Sequence, residues 1–385
     1  MKLFKVFFIL FSVLSCVRAP LQDKNKSMRL AKIPILQDDL SLDLIKESIQ
    51  KQIEHLQKSI SLQELQFADK KVSKEKYIES LQKLLDFSSQ EDFFFKIEKE
   101  FEFYEVYGSK KWGQAFVTGY YEPVILASRV PTEVYSQALY KSPSDIYSLD
   151  LGLFGAQFFN ARKMRARIEG EKIYPYYSRE EIDSHNKLKN KNLEICWVDP
   201  IDAFFLQIQG SGTVEFEDGS SLFVNYAEKN GREYIPLGKF LDHIPKEEIN
   251  SEVIENYLRA LSPEKRQELL NKNPSYVFFE VSDNRAVTSS GISALAGRTI
   301  ATDKNFFPKG ALAFLMFDKP IFSSDQSVQP AKTESVGRFV FDQDVGGVIK
   351  GGGRVDLFWG RGALAKKYAG ALKSQGKLYY LVPKN

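Results

Sequence analysis

The sequence predicts a mainly β protein with a helical amino-terminal part, and three observations carry that prediction. Apolar residues at Leu42, Ile45, Ile49, Ile53, Leu56 and Ile60 recur at helical spacing. After Gly108 the texture changes to short runs rich in β-branched and aromatic residues, parted by Gly, Pro, Asn and Asp. These runs are too short and scattered for a parallel doubly wound sheet. The length of 385 residues suits two domains, and 43% hydrophobic with 27% charged residues supports packed cores and excludes wholesale disorder.

Taken in order, residues 1–15 read as a secretion signal, with Lys2 and Lys5 ahead of the apolar run Val6 to Leu14. At about 1.5 Å per residue that run cannot cross a bilayer core of roughly 30 Å. It ends Val13-Leu14-Ser15-Cys16, which resembles a bacterial lipobox with Cys16 as the lipidated first residue of the mature chain. An ordinary signal peptide cut a few residues later is the alternative. No other stretch approaches 18 uninterrupted apolar residues, so the mature chain is expected to be anchored rather than spanning. Residues 16–38 are read as a tether. One helix starts after Ser41, and a second from Ser73 turns Tyr77, Leu81, Leu84 and Leu85 inward. A third starts at Ser89, where Ser89-Gln-Glu-Asp92 has the form of a capping box; it carries Phe93, Phe94, Ile97 and Phe101 and stops near Gly108. Strands are expected at residues 114–118, 203–209, 213–217, 221–226 and 276–281, with a hairpin turn at Glu217-Asp-Gly-Ser220. A helical interlude covers residues 247–272.

Composition removes several chemistries. A net charge of +3 is too small to argue for nucleic-acid binding, and 2 Cys with 3 His exclude a disulfide scaffold and most His-rich metal sites. Cys196, between Ile195 and Trp197, reads as a buried small hydrophobe. His55, His185 and His243 are far apart, and no nucleophile elbow accompanies them. Gly360-Arg-Gly362-Ala-Leu-Ala365 imitates a dinucleotide fingerprint, yet no Asp or Glu follows Asp356 to meet a ribose. Lys350 is followed by Gly351 rather than Ser or Thr, so there is no P-loop. A carboxylate site remains. Glycines crowd the stretch from Asp344 to Gly362, where backbone can approach a ligand or take strained turns. Asp356 lies between Val355 and Leu357-Phe358-Trp359, and desolvation there raises a carboxyl pKa toward working pH. Trp359 and the tyrosines offer flat faces for sugar rings. The alternative is that these acids only bind turn amides.

Four separated segments together resemble the membrane-bound lytic murein transglycosylase A family: Phe116-Val-Thr-Gly-Tyr-Tyr-Glu-Pro123, Asp202 to Gly212 continuing through Val224 to Gly231, Asn273 to Phe279, and Asp344 to Gly362. Gly297-Arg-Thr-Ile-Ala-Thr-Asp303 falls between the last two. The helical stretch before Gly108 carries no matching motif. The resemblance implies a double-psi β-barrel domain with a smaller β-domain inserted and a substrate groove between them. The division then runs 39–123 for the helical segment and first part of the barrel, 124–281 for the insertion and 282–385 for the rest of the barrel. It also implies cleavage of the β-1,4 bond between N-acetylmuramic acid and N-acetylglucosamine in peptidoglycan, exolytically, with 1,6-anhydromuramoyl ends and neither cofactor nor metal. Asp356 falls on the family's catalytic aspartate and Asp344 on its companion. The loop between them differs from other members by one residue within residues 351–354.

In a transglycosylase, as the resemblance implies, the substrate's own C6 hydroxyl can replace the water or nucleophile of ordinary glycosidases, so the one obvious acid, Asp356, is expected to act first as acid and then as base. Thr118, Tyr120, Tyr121, Glu122, Gln207, Gln209, Ser211, Lys350 and Trp359 are the candidate substrate-binding residues. Strand alternation would put Gln207 and Gln209 on one face. Barrel core is the competing reading for Tyr120 and Tyr121, and a second catalytic carboxylate a further one for Glu122. From Ala331 onward ten Lys or Arg face four Asp or Glu, a basic end suited to an anionic wall polymer. The expected partners are peptidoglycan glycan strands, a membrane through the lipid anchor and a cell-wall enzyme complex, with no nucleic acid. The expected place is the outer membrane, facing the periplasm. A hydrolytic muramidase and a non-catalytic wall-binding lipoprotein are the rival readings.

Overall fold

Six strands close into a ring in the computed structural model, which describes residues 23–384 apart from 109–110, 156–163, 247, 283–287, 325–326, 328 and 348. Around the ring they run Gln114–Glu122, Lys373–Pro383, Ala311–Ile321, Lys332–Asp344, Thr299–Ala301 and Arg354–Arg361, which returns to Gln114–Glu122. Two junctions are parallel: Arg354–Arg361 on Gln114–Glu122, and Thr299–Ala301 on Lys332–Asp344. The other four are antiparallel. Closure leaves the ring no free edge. Phe314, Leu315, Phe341, Val355, Leu357, Leu378 and Tyr380 are buried in its core cluster.

The amino-terminal helices pack on this barrel as their spacing predicts. Leu42–Lys58 buries Ile45, Ile49, Ile53 and Leu56, but it ends before Ile60, which is exposed. Lys74–Lys83 is capped by the Ser73 side chain, and Gln90–Glu100 by that of Ser89. The Asp92 carboxylate accepts from the amide of Ser88 rather than that of Ser89, one residue outside a true capping box. The third helix stops at Glu100 and does not run on toward Gly108. Phe101 begins a strand, Phe101–Val106, whose alternate residues Phe101 and Phe103 are buried. That strand pairs with Lys373–Pro383 and with Met28–Ala31.

The tether reading also needs correction. Residues 1–22, which include the signal and Cys16, lie outside the described residues. From Met28 onward the segment is fastened down. Asp38 and Arg298 form a buried ion pair at 2.5 Å, and Asp39 takes the Arg338 guanidinium at 2.5 and 2.8 Å. A polar composition reads as a tether because the partner of Asp38 lies 260 residues away; Asp39, just past the tether's end, meets Arg338 299 residues away.

Between barrel strands Gln114–Glu122 and Thr299–Ala301 the chain builds a second sheet. Its order is Val277–Ser282, Ser221–Lys229, Ser211–Phe216, Val124–Ser128, Glu194–Val198 and Gln137–Tyr140. A bridge between Lys141 and Phe279 joins its two ends. Cys196 is a free buried thiol in this sheet's core. Gly219, at φ +79°, makes the expected hairpin turn. The interlude resolves into helices Ser251–Ala260 and Pro263–Asn271.

Residues 203–209 are not a strand. They belong to a helix, Pro200–Gln209, whose Asp199 side chain accepts the amides of Ile201 and Asp202 and which ends at Gly210 with φ +83°. The run is apolar on almost every face, so periodicity is silent; the Asp-Pro start and glycine stop are the signals that decide it.

Candidate active site

Asp356 owes its position to register. It lies opposite Thr118 of the parallel strand on one side and opposite Ala301 on the other. Ala301 in turn lies opposite Asp344. Thr118, Asp356, Ala301 and Asp344 therefore form one row across four strands, and residues in such a row project to the same face. Two strand spacings put the two aspartate backbones roughly 10 Å apart. The small Ala301 side chain stands between them.

The Asp356 side chain is 17% accessible, and its Oδ1 is buried without a hydrogen-bond partner. Burial pushes its carboxyl up to about 6, the Arg354 guanidinium pulls it down, and the charge of Asp344 pushes it up again. Arg354 Nη2 stands 3.8 Å from Oδ1 and donates to the Thr118 hydroxyl at 3.3 Å. Burial also raises Asp344, opposed by the amides of Ser289 and Val345, each 2.9 Å from Oδ1, then by the Tyr120 hydroxyl, 3.1 Å from Oδ2, and by Lys309. Tyr120 is held firmly neutral, first by burial and then by Asp344, so it serves as a donor.

The glycine-rich loop that links Asp344 to Asp356 is fastened through its backbone. The amide of Gly351, at φ +81°, donates to Asp303 Oδ2 at 2.9 Å, and that of Phe116 donates to the carbonyl of Gly353. A side chain on Gly352 would meet the carbonyl of Tyr107 at 3.0 Å. Lys350 is exposed on the loop.

The structure thus brings Thr118, Tyr120, Asp344 and Asp356 together. The remaining candidates fall elsewhere. Tyr121 points to the opposite face from Tyr120 and packs with Trp359, Ala365 and Ala369. The Trp359 ring stacks on Tyr368 at 5.0 Å with the Arg338 guanidinium 5.2 Å from its centroid, so packing partners occupy it. Glu122 is buried and accepts from the Thr213 hydroxyl at 2.7 Å; it lies four residues, or about 13 Å of strand, beyond Thr118. Gln207 and Gln209 do not alternate along a strand. Gln207 is buried and accepts from Arg179 at 2.5 Å, while Gln209 accepts from the amide of Tyr121 at 3.3 Å. Ser211 opens the strand that follows, opposite Asn225. Sequence reasoning missed Arg354, Ser289 and Asp303. Only Arg354 carried a signal, two residues from Asp356 and so on its face of the strand. Among the described residues no group of His, Cys, Asp or Glu could hold a metal ion, and no helix is long and apolar enough to cross a membrane.

Chemically, the row offers an acid that is neutral below about pH 6 and a second, hydrogen-bonded carboxylate that tunes it. Residues 116–280 match the family described as the MltA specific insert domain, and residues 298–382 match the 3D domain. The membrane-bound lytic murein transglycosylase A of Escherichia coli K12 is 29% identical over 283 residues, covering 72% of this chain and 68% of that protein. The Vibrio cholerae protein of the same name is 28% identical over 280 residues, covering 71% and 67%. Among solved structures, a membrane-bound lytic murein transglycosylase from Agrobacterium tumefaciens superposes with a TM-score of 0.74 at 23% identity, covering 93% of this chain and 98% of that one. MltA from Neisseria gonorrhoeae gives 0.67 at 25% identity with 88% of each chain covered. Escherichia coli MltA with bound chitohexaose gives 0.69 at 23%, covering 95% and 98%.

Proposed function

This chain belongs to the membrane-bound lytic murein transglycosylase A family, and from that premise we propose that it is an enzyme cleaving the β-1,4 bond between N-acetylmuramic acid and N-acetylglucosamine in peptidoglycan, exolytically and without adding water. The observation that carries the chemistry is the buried Asp356 carboxyl, whose Oδ1 makes no hydrogen bond and whose pKa is raised to about 6. Neutral Asp356 gives its proton to the glycosidic oxygen as the bond from that oxygen to C1 of the muramic acid breaks. The muramic acid's own C6 hydroxyl oxygen then bonds to C1, and its proton returns to the Asp356 carboxylate. Atoms and charge balance, the acid is regenerated, and the glycan end is a 1,6-anhydromuramoyl group. Burial keeps Asp356 protonated, the charge of Asp344 adds to that effect, and Tyr120 holds Asp344 in place.

In the same reading the closed ring is a double-psi barrel, residues 124–281 are an inserted domain, and glycan lies between the two. Cys16 carries the lipid that holds the enzyme at the outer membrane, facing the periplasm. Digestion of purified sacculi by the wild type and by Asp356→Asn tests the reaction. Anhydro products from the wild type, lost in the variant, are expected. Products heavier by one water mean a hydrolytic muramidase. Pelleting with sacculi but no release, unchanged in the variant, means a wall-binding lipoprotein.

A further inference from the structure

The position of Arg354 is unusual for a cation beside a buried acid. It lies two residues before Asp356 on the same strand, so both side chains share a face. A direct bidentate ion pair would hold the carboxyl ionised and remove the acid. The distance of 3.8 Å from Nη2 to Oδ1 is beyond hydrogen-bond reach, and Oδ1 has no other partner. Something holds the guanidinium back. Register supplies two restraints from the neighbouring strand: Phe116 lies opposite Arg354 and Thr118 opposite Asp356. The guanidinium lies 5.5 Å from the centre of the Phe116 ring and spends Nη2 on the Thr118 hydroxyl.

We propose that Arg354 is a positioning residue for the reaction, an offset counter-charge that Thr118 keeps one hydrogen bond short of Asp356. The offset leaves Oδ1 free to carry the proton that is delivered, and it places a positive charge beside the carboxylate that remains for the base step. Among the described residues, the other charged or titratable groups facing Asp356 are Asp344 from strand Lys332–Asp344 and Tyr120 from strand Gln114–Glu122. Ala301 brings none, and Lys373, in register with Thr118, is spent on the carbonyl of Ile249. Arg354 is therefore the cation that opposes burial and Asp344 at this carboxyl.

This inference rests on the proposed acid-then-base role of Asp356, and its test uses kcat/KM on soluble glycan strands across about pH 4.5 to 8.5. The wild-type rate falls on the alkaline side as Asp356 ionises. In Arg354→Gln that fall moves to higher pH, so the variant-to-wild-type ratio climbs about threefold or more from pH 5 to pH 8, while the acid plateau drops about tenfold. Arg354→Lys returns the fall toward the wild-type position. Thr118→Val acts in the opposite sense: the released guanidinium closes on Oδ1 and the fall moves to lower pH. An Arg354→Gln profile parallel to the wild type, or a Thr118→Val profile displaced upward, overturns the proposal. Direct titration of the Asp356 carboxyl by NMR in the same proteins must show the same two opposite displacements, and it reads them even in a variant too slow to assay. Should the wild type release reducing ends, the reaction reading fails while the displacements still judge Arg354.

Discussion

Asp356→Asn should make the protein more stable, and by an amount that depends on pH. An aspartate titrates near 3.8 in the unfolded chain, whereas burial raises Asp356 to about 6 in the fold. Between those values the folded chain holds a proton that the unfolded chain releases. Raising the pH through this window therefore withdraws stability from the wild type, and the loss is complete once the folded carboxyl has ionised. At ~1.36 kcal/mol per pH unit, the displacement from 3.8 to about 6 comes to about 3 kcal/mol. Asparagine, close in shape and never charged, escapes this loss. The variant should match the wild type at about pH 3.5 and exceed it by about 3 kcal/mol at about pH 7.5, a gain of roughly 1 M in urea midpoint for a slope of ~3 kcal/mol/M. Titrating groups that do not interact with Asp356 are common to both proteins and cancel in the difference. Urea titrations of both at three pH values supply the measurement. A gain independent of pH, or larger in acid, would falsify the account of Asp356 as an acid strained by burial.

Three further outcomes follow from the geometry. Asp344→Asn removes the like charge that helps raise Asp356, so the alkaline fall in kcat/KM should move to lower pH while the product type stays the same. Gly119→Ala would set a new carbon 2.7 Å from Ala369 Cα and Trp359 Cδ1; thermal unfolding should show a loss of about 1–3 kcal/mol. Asp38→Ala leaves the guanidinium of buried Arg298 without its carboxylate, and calorimetry should record a loss of about 3–5 kcal/mol.

Much of this architecture can be read from local signals. Ser73 and Ser89 cap the helices they announce, and the Asp-Gly turn at residues 218–219 joins the strands it should. The apolar neighbours of Asp356 mark its strand as buried, although Val355 and Leu357 themselves project to the opposite, core face. What local signals cannot carry is register. The row from Thr118 through Asp356 and Ala301 to Asp344 depends on pairing between distant strands, and no short-range pattern encodes that pairing. Alternation alone separates Tyr120 from Tyr121 onto opposite faces, but it does not say which face is the site. The helix at Pro200–Gln209 was hidden because a run buried on nearly all sides has no period to read. The tether reading of residues 16–38 missed the fastening of Asp38 because Arg298 meets it only after the barrel has closed.

The parallel pairing of Arg354–Arg361 with Gln114–Glu122 has a consequence for when the acid comes into being. Those strands are separated in the chain by the whole second sheet. Contacts of such sequence separation form late and slowly. Until they form, Asp356 is a solvated side chain with an ordinary acidity and neither Arg354 nor Asp344 held beside it. A nascent, truncated or partly unfolded chain therefore has no competent acid. The raised pKa of Asp356 arrives only with the closing of the ring.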